Sequence, residues 1–484
     1  MTRVSKTGCP SLISLSSEVL CHVLLHLDDS SILAARQTSR ALYFASKSRQ
    51  LWYRIIIRLQ MSQGVPAPEE EMDAYTVEEL EKWAFRRHRA QDLWAGISKC
   101  RFSNRLLRVR AELPSPAPSY CKLIPGGRWL LVGYSDARMC TVDLEDAKFP
   151  LYPVYNPGEF DKTLCGQTLE VTKTFWVDQS KPQLSLRIAG CVAEYSDSDP
   201  GTLTDRRTFV YHVDLVGHGS AATLVAKPYA LFANPGLGDR NHNFGLNERY
   251  IVDHWTVNND YESVRTGQLR AYDYSAIVVN GTSQSHLTYS ATNPIVYDLK
   301  SSLCHVINFI YGNTFVVIGT LPDAVYVLEV DPETRSIMLL HIIETSCRIC
   351  SDVVRFPGLS ESRMVLVGSN PIVLGIVIPH HKNVPVTTVK LAEVNYTWTR
   401  QRSLTALGTS VSLFFQLEFY RSFSLNIFWI LNQSWDILQP SRQVGNVFDT
   451  SMDTNSELAS FDQSIGRLVY RPYRGDDLSI IDLV

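Results

Sequence analysis

The chain has 484 residues, 45% of them hydrophobic and 20% charged, with a formal net charge of −3. That length exceeds one small core and points to two domains or one large repetitive one. The near-neutral balance gives no global pull toward nucleic acid or an anionic membrane surface. The charge is unevenly placed, with 17 Lys and Arg against 11 Asp and Glu in the first 110 residues, or +6, which leaves −9 for the rest. A basic N-terminal part beside an acidic body suggests separate partners for the two. The ten cysteines are scattered through apolar runs and read as reduced core thiols. Residues Met1–Pro10 carry no apolar signal-peptide run, and the apolar stretch Val411–Leu431 is broken by Gln416, Glu418, Arg421 and Asn426. No membrane span is expected, and the predicted setting is cytoplasm or nucleus.

Residues 11–59 read as three short helical patterns. Leu15, Val19, Leu20, Val23, Leu24 and Leu27 recur at spacings of three and four, which places them on one helix face. Asp28, Asp29, Ser30 and Ser31 stop that helix and can cap the next, which carries Ile32, Leu33 and Ala35. The third pattern carries Leu42, Phe44 and Ala45 and runs on to Leu51, Trp52, Ile55 and Ile56. So short and leucine-rich a trio cannot cover its own apolar surface, so it is expected to dock onto something.

These residues resemble an F-box, whose usual opening is Leu-Pro-x-Glu-x-Leu. Leu15, Glu18 and Leu20 match it in place, followed by Leu24, Leu27, Asp29 to Leu33, Ser39, Arg40, Leu42 and the Leu51-Trp52 pair. The family's Pro is Ser16 here, where a serine can serve as an N-cap instead.

After a polar stretch from Met61 to Met72, Thr76 and Glu79 form a capping-box spacing that opens a helix reaching to about Trp94. Its Arg86, Arg87, His88 and Arg89 are either an anion site or a solvated face paired with Glu78, Glu79 and Glu81. Leu113–Pro118, with Pro at every second position, is an extended connector. The division read from sequence is an F-box over 11–59, a helical and Pro-rich linker over 60–118 and a β-domain over 119–484.

From Tyr120 the period becomes strand-like. Residues Cys121–Asp146 alternate strands with a Pro-Gly-Gly turn and a Ser-Asp turn, and resemble one blade of a WD-repeat propeller, with Val142-Asp143 where Trp-Asp usually stands. Units of similar kind follow at Gln183–Leu215, Phe244–Tyr274, Cys304–Ile343, Cys350–Ile378, Leu404–Leu431 and Glu457–Val484. Of these, Cys304–Ile343 is the clearest four-stranded sheet. About seven units at uneven spacing fit propeller blades with long inserted loops, the final strand Ser479–Leu483 closing the ring on the Tyr120 unit. A two-sheet sandwich or an open solenoid fits the same strands. The predicted fold class is α+β and multidomain, a small all-α module before a large all-β domain.

No chemistry stands out. Cys347-x-x-Cys350 and His380-His381 have ligand types, but strand alternation would aim the two cysteines to opposite faces. Pro235–Gly238 lacks the Lys-Ser and the helix of a phosphate loop, no nucleophile elbow is present, and Asp197, Asp199, Asp476 and Asp477 suit turns. Neither catalysis nor a metal or other cofactor is expected, and the acidic body argues against nucleic acid.

The F-box resemblance implies a substrate-recognition subunit of a Skp–cullin–F-box ubiquitin ligase. The F-box would dock a Skp-type adaptor and, through it, a cullin, while the β-domain recruits an unknown target protein. The matching positions Leu15, Ser16, Glu18, Val19, Leu20, Leu24, Leu27, Leu33, Leu42 and Trp52 would form the docking site, some of them serving as the module's own core. A non-catalytic scaffold working outside a ligase is the other reading. Candidate target loops are Pro153–Leu164, Ser196–Arg207, Phe232–Asn243 and Asn258–Gly267.

Overall fold

The computed structural model describes residues 12, 15–94, 102–108, 118–134, 138–155, 169–195, 203–233, 244–257, 266–277, 293–299, 303–320, 324–345, 347–350, 353–356, 359–368, 372–393, 404–407, 412–416, 426–431, 442–445, 456–472 and 477–483. Five helices come first: α1 (Ser17–Leu24), α2 (Asp29–Thr38), α3 (Arg40–Ser46), α4 (Arg49–Gln63) and α5 (Val77–Trp94). The third sequence pattern is thus two helices, parted at Lys47 and Ser48. The starts are capped as the residues suggest. Asp28 accepts from the Ser31 amide at 2.7 Å, Ser39 from Leu42 at 3.2 Å, and Thr76 and Glu79 bond reciprocally. Gly64 ends α4 at a φ of +63°, and a Cβ there would lie 2.7 Å from Val354, so glycine serves both the left-handed cap and the close approach to the β-domain.

The module's core does not stop at residue 59. Leu20, Leu24, Ile32, Leu42, Leu51, Trp52, Ile55, Ile56 and Leu59 pack with Leu80, Trp83 and Ala84 of α5. The stretch expected as a linker therefore supplies the helix that covers the F-box-like leucines.

Among the described residues the β-domain is seven antiparallel sheets, all but the last drawn from consecutive strands. They are β2 (Pro118–Leu123) to β5 (Leu151–Tyr155) through β3 (Trp129–Tyr134) and β4 (Met139–Asp143); β6 (Leu169–Val177), β7 (Ser185–Tyr195), β8 (Leu203–Val216) and β9 (Thr223–Ala233); and β10 (Phe244–Leu246), β11 (Tyr250–Val257), β12 (Thr266–Asp273) and β13 (Ile295–Leu299). Next are β14 (Leu303–Tyr311), β15 (Thr314–Thr320), β16 (Ala324–Asp331) and β17 (Ser336–Glu344), the four strands expected from sequence. A five-stranded sheet follows, with β18 (Cys347–Cys350) and β19 (Val354–Phe356) both on β20 (Glu361–Gly368), then β21 (Ile372–Pro379) and β22 (Thr387–Glu393). The sixth has β23 (Leu404–Leu407), β24 (Ser412–Gln416), β25 (Asn426–Leu431) and β26 (Arg442–Gly445), and the last has β27 (Ser456–Asp462), β28 (Arg467–Pro472) and β29 (Asp477–Leu483). First strands meet between sheets, β6 with β10, β10 with β14, β23 with β27 and β27 with β2. The first sheet shares one core with the second and another with the last. This is a propeller arrangement, with a core shared by each adjacent pair among the first five sheets and by the last and the first.

The ring closes differently from the sequence expectation. The last strand, β29, pairs not with the Tyr120 unit but with β1 (Phe102–Arg108), from Phe102↔Leu483 to Arg108↔Asp477. The fourth strand of the final sheet thus comes from before the Pro-rich connector, and residues 102–108 belong to the β-domain. The reason is geometric. A ring whose last sheet takes a strand from the chain's beginning is tied shut by backbone hydrogen bonds, and the β29 edge is covered.

In such a meander the first-to-second and third-to-fourth turns lie at one end of every sheet. The helical module sits on that end. The Glu69 carbonyl accepts from the Leu184 amide at 2.6 Å, between β6 and β7, and Glu70 from the Gly219 amide at 3.0 Å, between β8 and β9. The four candidate target loops leave from the other end. Their segments 156–164, 196–202, 234–243 and 258–265 lie outside the described residues, while 203–207 begin β8 rather than continue a loop.

Candidate functional site

The sequence-matched docking residues separate into two sets. Leu20, Leu24, Leu42 and Trp52 are buried in the module's core, and Leu27 packs partly against it. Trp52 is held there by its Nε1, which donates to the Ser46 carbonyl at 2.9 Å. Leu15, Ser16, Glu18, Val19 and Leu33 are exposed. Val19 and Val23, four apart, lie on the solvent side of α1 with exposures of 44 and 36%, and Leu15, just before its N-cap, is 37% exposed. On the next two helices Leu33, Tyr43 and Phe44 are also exposed, Phe44 at 69%, and the Tyr43 and Phe44 rings meet edge to face at 5.6 Å. Val23, Tyr43 and Phe44 were missed as site residues. In the run Leu42-Tyr43-Phe44-Ala45, four successive apolar residues hide which face is inward.

Ser16 stands at the N-cap of α1 with φ −65° and ψ 157°, but its side chain caps no amide. Instead Glu18 is held below the usual carboxylate range by its own backbone amide and then by the Ser16 hydroxyl.

A second feature is the junction between module and ring, which is dense in buried charge. Arg128 pairs with Glu70 at 2.9 Å and with Asp143 at 2.8 Å, and it donates to the Gly219 carbonyl at 2.6 Å. His218 abuts the same Glu70 carboxylate. Burial raises Glu69 above the usual carboxylate range against the pull of Arg87, whose nearest approach is 4.0 Å. Burial also brings Arg87 down to about 10, its guanidinium lying over the Trp83 ring at 3.4 Å. At the ring seam Arg86 pairs with Glu145 at 2.6 Å and lies 3.6 Å from Asp482. Arg105 reaches Asp482 at 2.6 Å, and Arg467 contacts both Asp482 and Glu145. Burial acts to raise Glu145, yet Arg86 and Arg467 hold it down at about 2. Arg86 and Arg87 are therefore neither an anion site nor a solvated face: Arg86 bridges the helical module to Glu145 and Asp482 of the ring, and Arg87 is buried within the module against Trp83 and Glu69.

Toward the ring's axis, a cavity of about 310 Å³ is lined by Lys122, Trp176, Leu246, Asn308 and Arg355 from successive sheets. His380, expected in a surface loop, is half-buried just past β21; it bonds Ser362 at 2.9 Å and stacks on Tyr311, and burial lowers it to about 4. Among the described residues no cluster of three His, Cys, Asp or Glu could hold a metal, and no helix is long and apolar enough to cross a membrane. The cysteines at 21, 121, 140, 191 and 304 are buried thiols, and burial pushes Cys140 up to about 11 and Cys304 to about 12. The stretch 235–238 and Asp197 and Asp199 lie outside the described residues.

Comparison with known proteins agrees with the helical part. The F-box-like family profile matches residues 17–58, so the N-terminal module is an F-box-like domain. A solved structure similar to this chain is the beta-propeller domain of Cps50 (Swd1) from Myceliophteria thermophila. The likeness covers 77% of this chain and 98% of that one at 9% identity, with a TM-score of 0.45. No curated protein matches the chain. The class defined is an F-box-like domain joined to a propeller arrangement of antiparallel sheets.

Proposed function

We propose that the chain is the substrate-recognition subunit of a Skp–cullin–F-box ubiquitin ligase. The observation that carries this reading is Val19 and Val23 on α1, exposed with Leu15, Leu33, Tyr43 and Phe44 on a module whose other large apolar residues are mostly packed inside. Grouped apolar side chains left in water mark a partner's place, and F-box-like domains in general dock a Skp-type adaptor there. The adaptor would bring the cullin. The β-domain, with each sheet as one of seven blades, would recruit the target through the end of the ring facing away from the module, since the other end is occupied. The chain does no chemistry of its own; it raises the target's effective concentration beside the ubiquitin-loaded enzyme. Its place of work is the cytoplasm or the nucleus.

The test is co-purification of the full chain with a Skp-type adaptor and a cullin. The wild type should retain both, and a Val19→Asp/Val23→Asp variant should lose both while unfolding at the same temperature. Adaptor retained by that variant would remove the assignment of this face. A wild-type chain that captures a target but neither adaptor nor cullin would instead be a scaffold outside a ligase.

A further inference from the structure

A propeller leaves one strand edge per sheet at its rim, and an unprotected edge invites another strand. The seven rim strands here are β5, β9, β13, β17, β22, β26 and β1. Five carry inside the strand a residue that discourages strand addition: Pro153 in β5, Lys227 and Pro228 in β9, Asp298 in β13, Lys390 in β22 and Arg105 in β1; the four-residue β26 opens on Arg442. β17 carries none before its last residue. It reads SIMLLHIIE, with six large aliphatic side chains in nine residues and no Asp, Glu, Lys, Arg or Pro until Glu344.

Those side chains are not all packed away. Met338 and Leu339 are each 38% exposed and Ile342 is 49% exposed. In the pairing with β16, Leu339 stands opposite Leu328 and Ile342 opposite Tyr326, with a register shift that leaves Leu340 as an extra residue between them. Leu328 and Tyr326 are two apart and share a face, so Leu339 and Ile342 do too. β13 packs alongside β17 at the rim and presents Val296, 49% exposed.

We infer that the β17 edge joins two copies of this chain, paired antiparallel about a two-fold axis. Charge placement selects this occupant. Arg335 stands just before the strand and Glu344 at its end. In a two-fold pairing that sets Leu339 opposite the second copy's Ile342, Arg335 comes within two residues of the second copy's Glu344, and the same happens at the other end. A parallel pairing would set Glu344 beside Glu344. The contact uses the same patch on both copies and so closes as a dimer, not a filament. The chain already completes one sheet by adding a distant strand, β1 on β29. This inference is independent of the ligase reading.

Light scattering and sedimentation of the full chain over micromolar concentrations test it. The expected result is a reversible dimer whose dissociation constant rises at least about tenfold with Ile342→Lys, because a central apolar anchor becomes a charge. Arg335→Glu alone should weaken the dimer, and adding Glu344→Arg should restore it. Both positions are exposed, so this pair does not depend on how Ile342→Lys folds. A wild-type chain that stays monomeric, or a dimer indifferent to both Ile342→Lys and the charge reversal, overturns the inference.

Discussion

Arg128, in the turn before β3, donates to Glu70, between α4 and α5, at 2.9 Å, with 12% and 4% of the two side chains exposed. This pair joins the F-box-like domain to the ring through charges that neither could leave unpaired. Removing one partner of a buried pair strands the other and costs about 3–5 kcal/mol. Arg128 keeps Asp143 as a second partner, so Glu70→Ala is expected at the low end, about 3 kcal/mol. Chemical denaturation with a protease-sensitivity readout between α4 and α5 checks it. An unchanged midpoint would mean the domains are held by apolar contacts alone.

Glu69, next in sequence, has the opposite pH behaviour from an ordinary paired carboxylate. Burial raises its pKa in the folded chain above the ordinary 4.5. As pH rises from 4.5 through that raised value, the unfolded chain gives up its proton first and stability is progressively lost, and above the raised value the loss is complete. Below 4.5, where both states are protonated, the penalty is absent. Glu69→Gln should therefore be most favourable relative to wild type at neutral pH, with the advantage shrinking as pH approaches 4.5. Urea midpoints of both proteins at the two ends of that range decide it; a difference that grows toward acid refutes the assignment.

None of this junction was legible in the sequence. Glu69, Glu70 and Arg87 fall in polar runs, and polar runs are usually solvated. Only the ring's turns, from Gly126 to Gly219, bury them. The helices were legible because Leu15, Leu20, Leu24 and Leu51 keep a period that a cap at Asp28 interrupts. What the period could not do was tell Leu20, 2% exposed, from Val19, 44% exposed, since both lie within the arc that faces either the core or a partner. The four strands β14–β17 were legible because turn residues separate short apolar runs. β1 was not, since FSNRLLR has no alternation and lies before the Pro-rich connector.

The Leu20 and Val19 difference gives a paired prediction. Leu20→Asp buries a carboxylate among Leu24, Ile56 and Trp83 and should cost about 3 kcal/mol or more, unfolding the module. Val19→Asp is a surface change worth within about 0.5 kcal/mol. Far-ultraviolet circular dichroism and thermal melts separate the two. Only Val19→Asp can then report on adaptor binding, and equal melting points for both variants would contradict the packing described here.

Ser16 offers a gain rather than a loss. Its φ of −65° is the value that proline fixes, and its amide makes no hydrogen bond among the described residues. Ser16→Pro restricts the unfolded chain without straining the folded one, and should stabilise the module by about 0.4–1 kcal/mol. A higher melting temperature with unchanged helix content is the expected outcome. A lower one would show that the Ser16 hydroxyl bond to Glu18 matters more than backbone entropy.

The seam of the ring carries the last prediction. β1 supplies Leu107, 2% exposed, to a core with Val469, Leu478 and Ile480, and its Arg105 reaches Asp482 at 2.6 Å. Arg86 of α5 also faces Asp482, at 3.6 Å, and Arg467, 1% exposed, contacts the same carboxylate. Three guanidiniums on one carboxylate make Asp482 the point at which helix, first strand and last strand meet. A chain begun at Ser119, the boundary that composition suggests, would lose β1, Leu107 and two of those arginines, and would expose the β29 edge. It should melt well below the full chain and aggregate through that edge. Asp482→Ala in the full chain should cost about 3–5 kcal/mol, because Arg86 and Arg467 then share Glu145 and Arg105 keeps only the Leu144 carbonyl. Calorimetry on the full chain, the chain begun at Ser119 and Asp482→Ala gives the ordering. If the shortened chain melts with the full one, the ring does not need β1 and the closure at β29 is not what holds it.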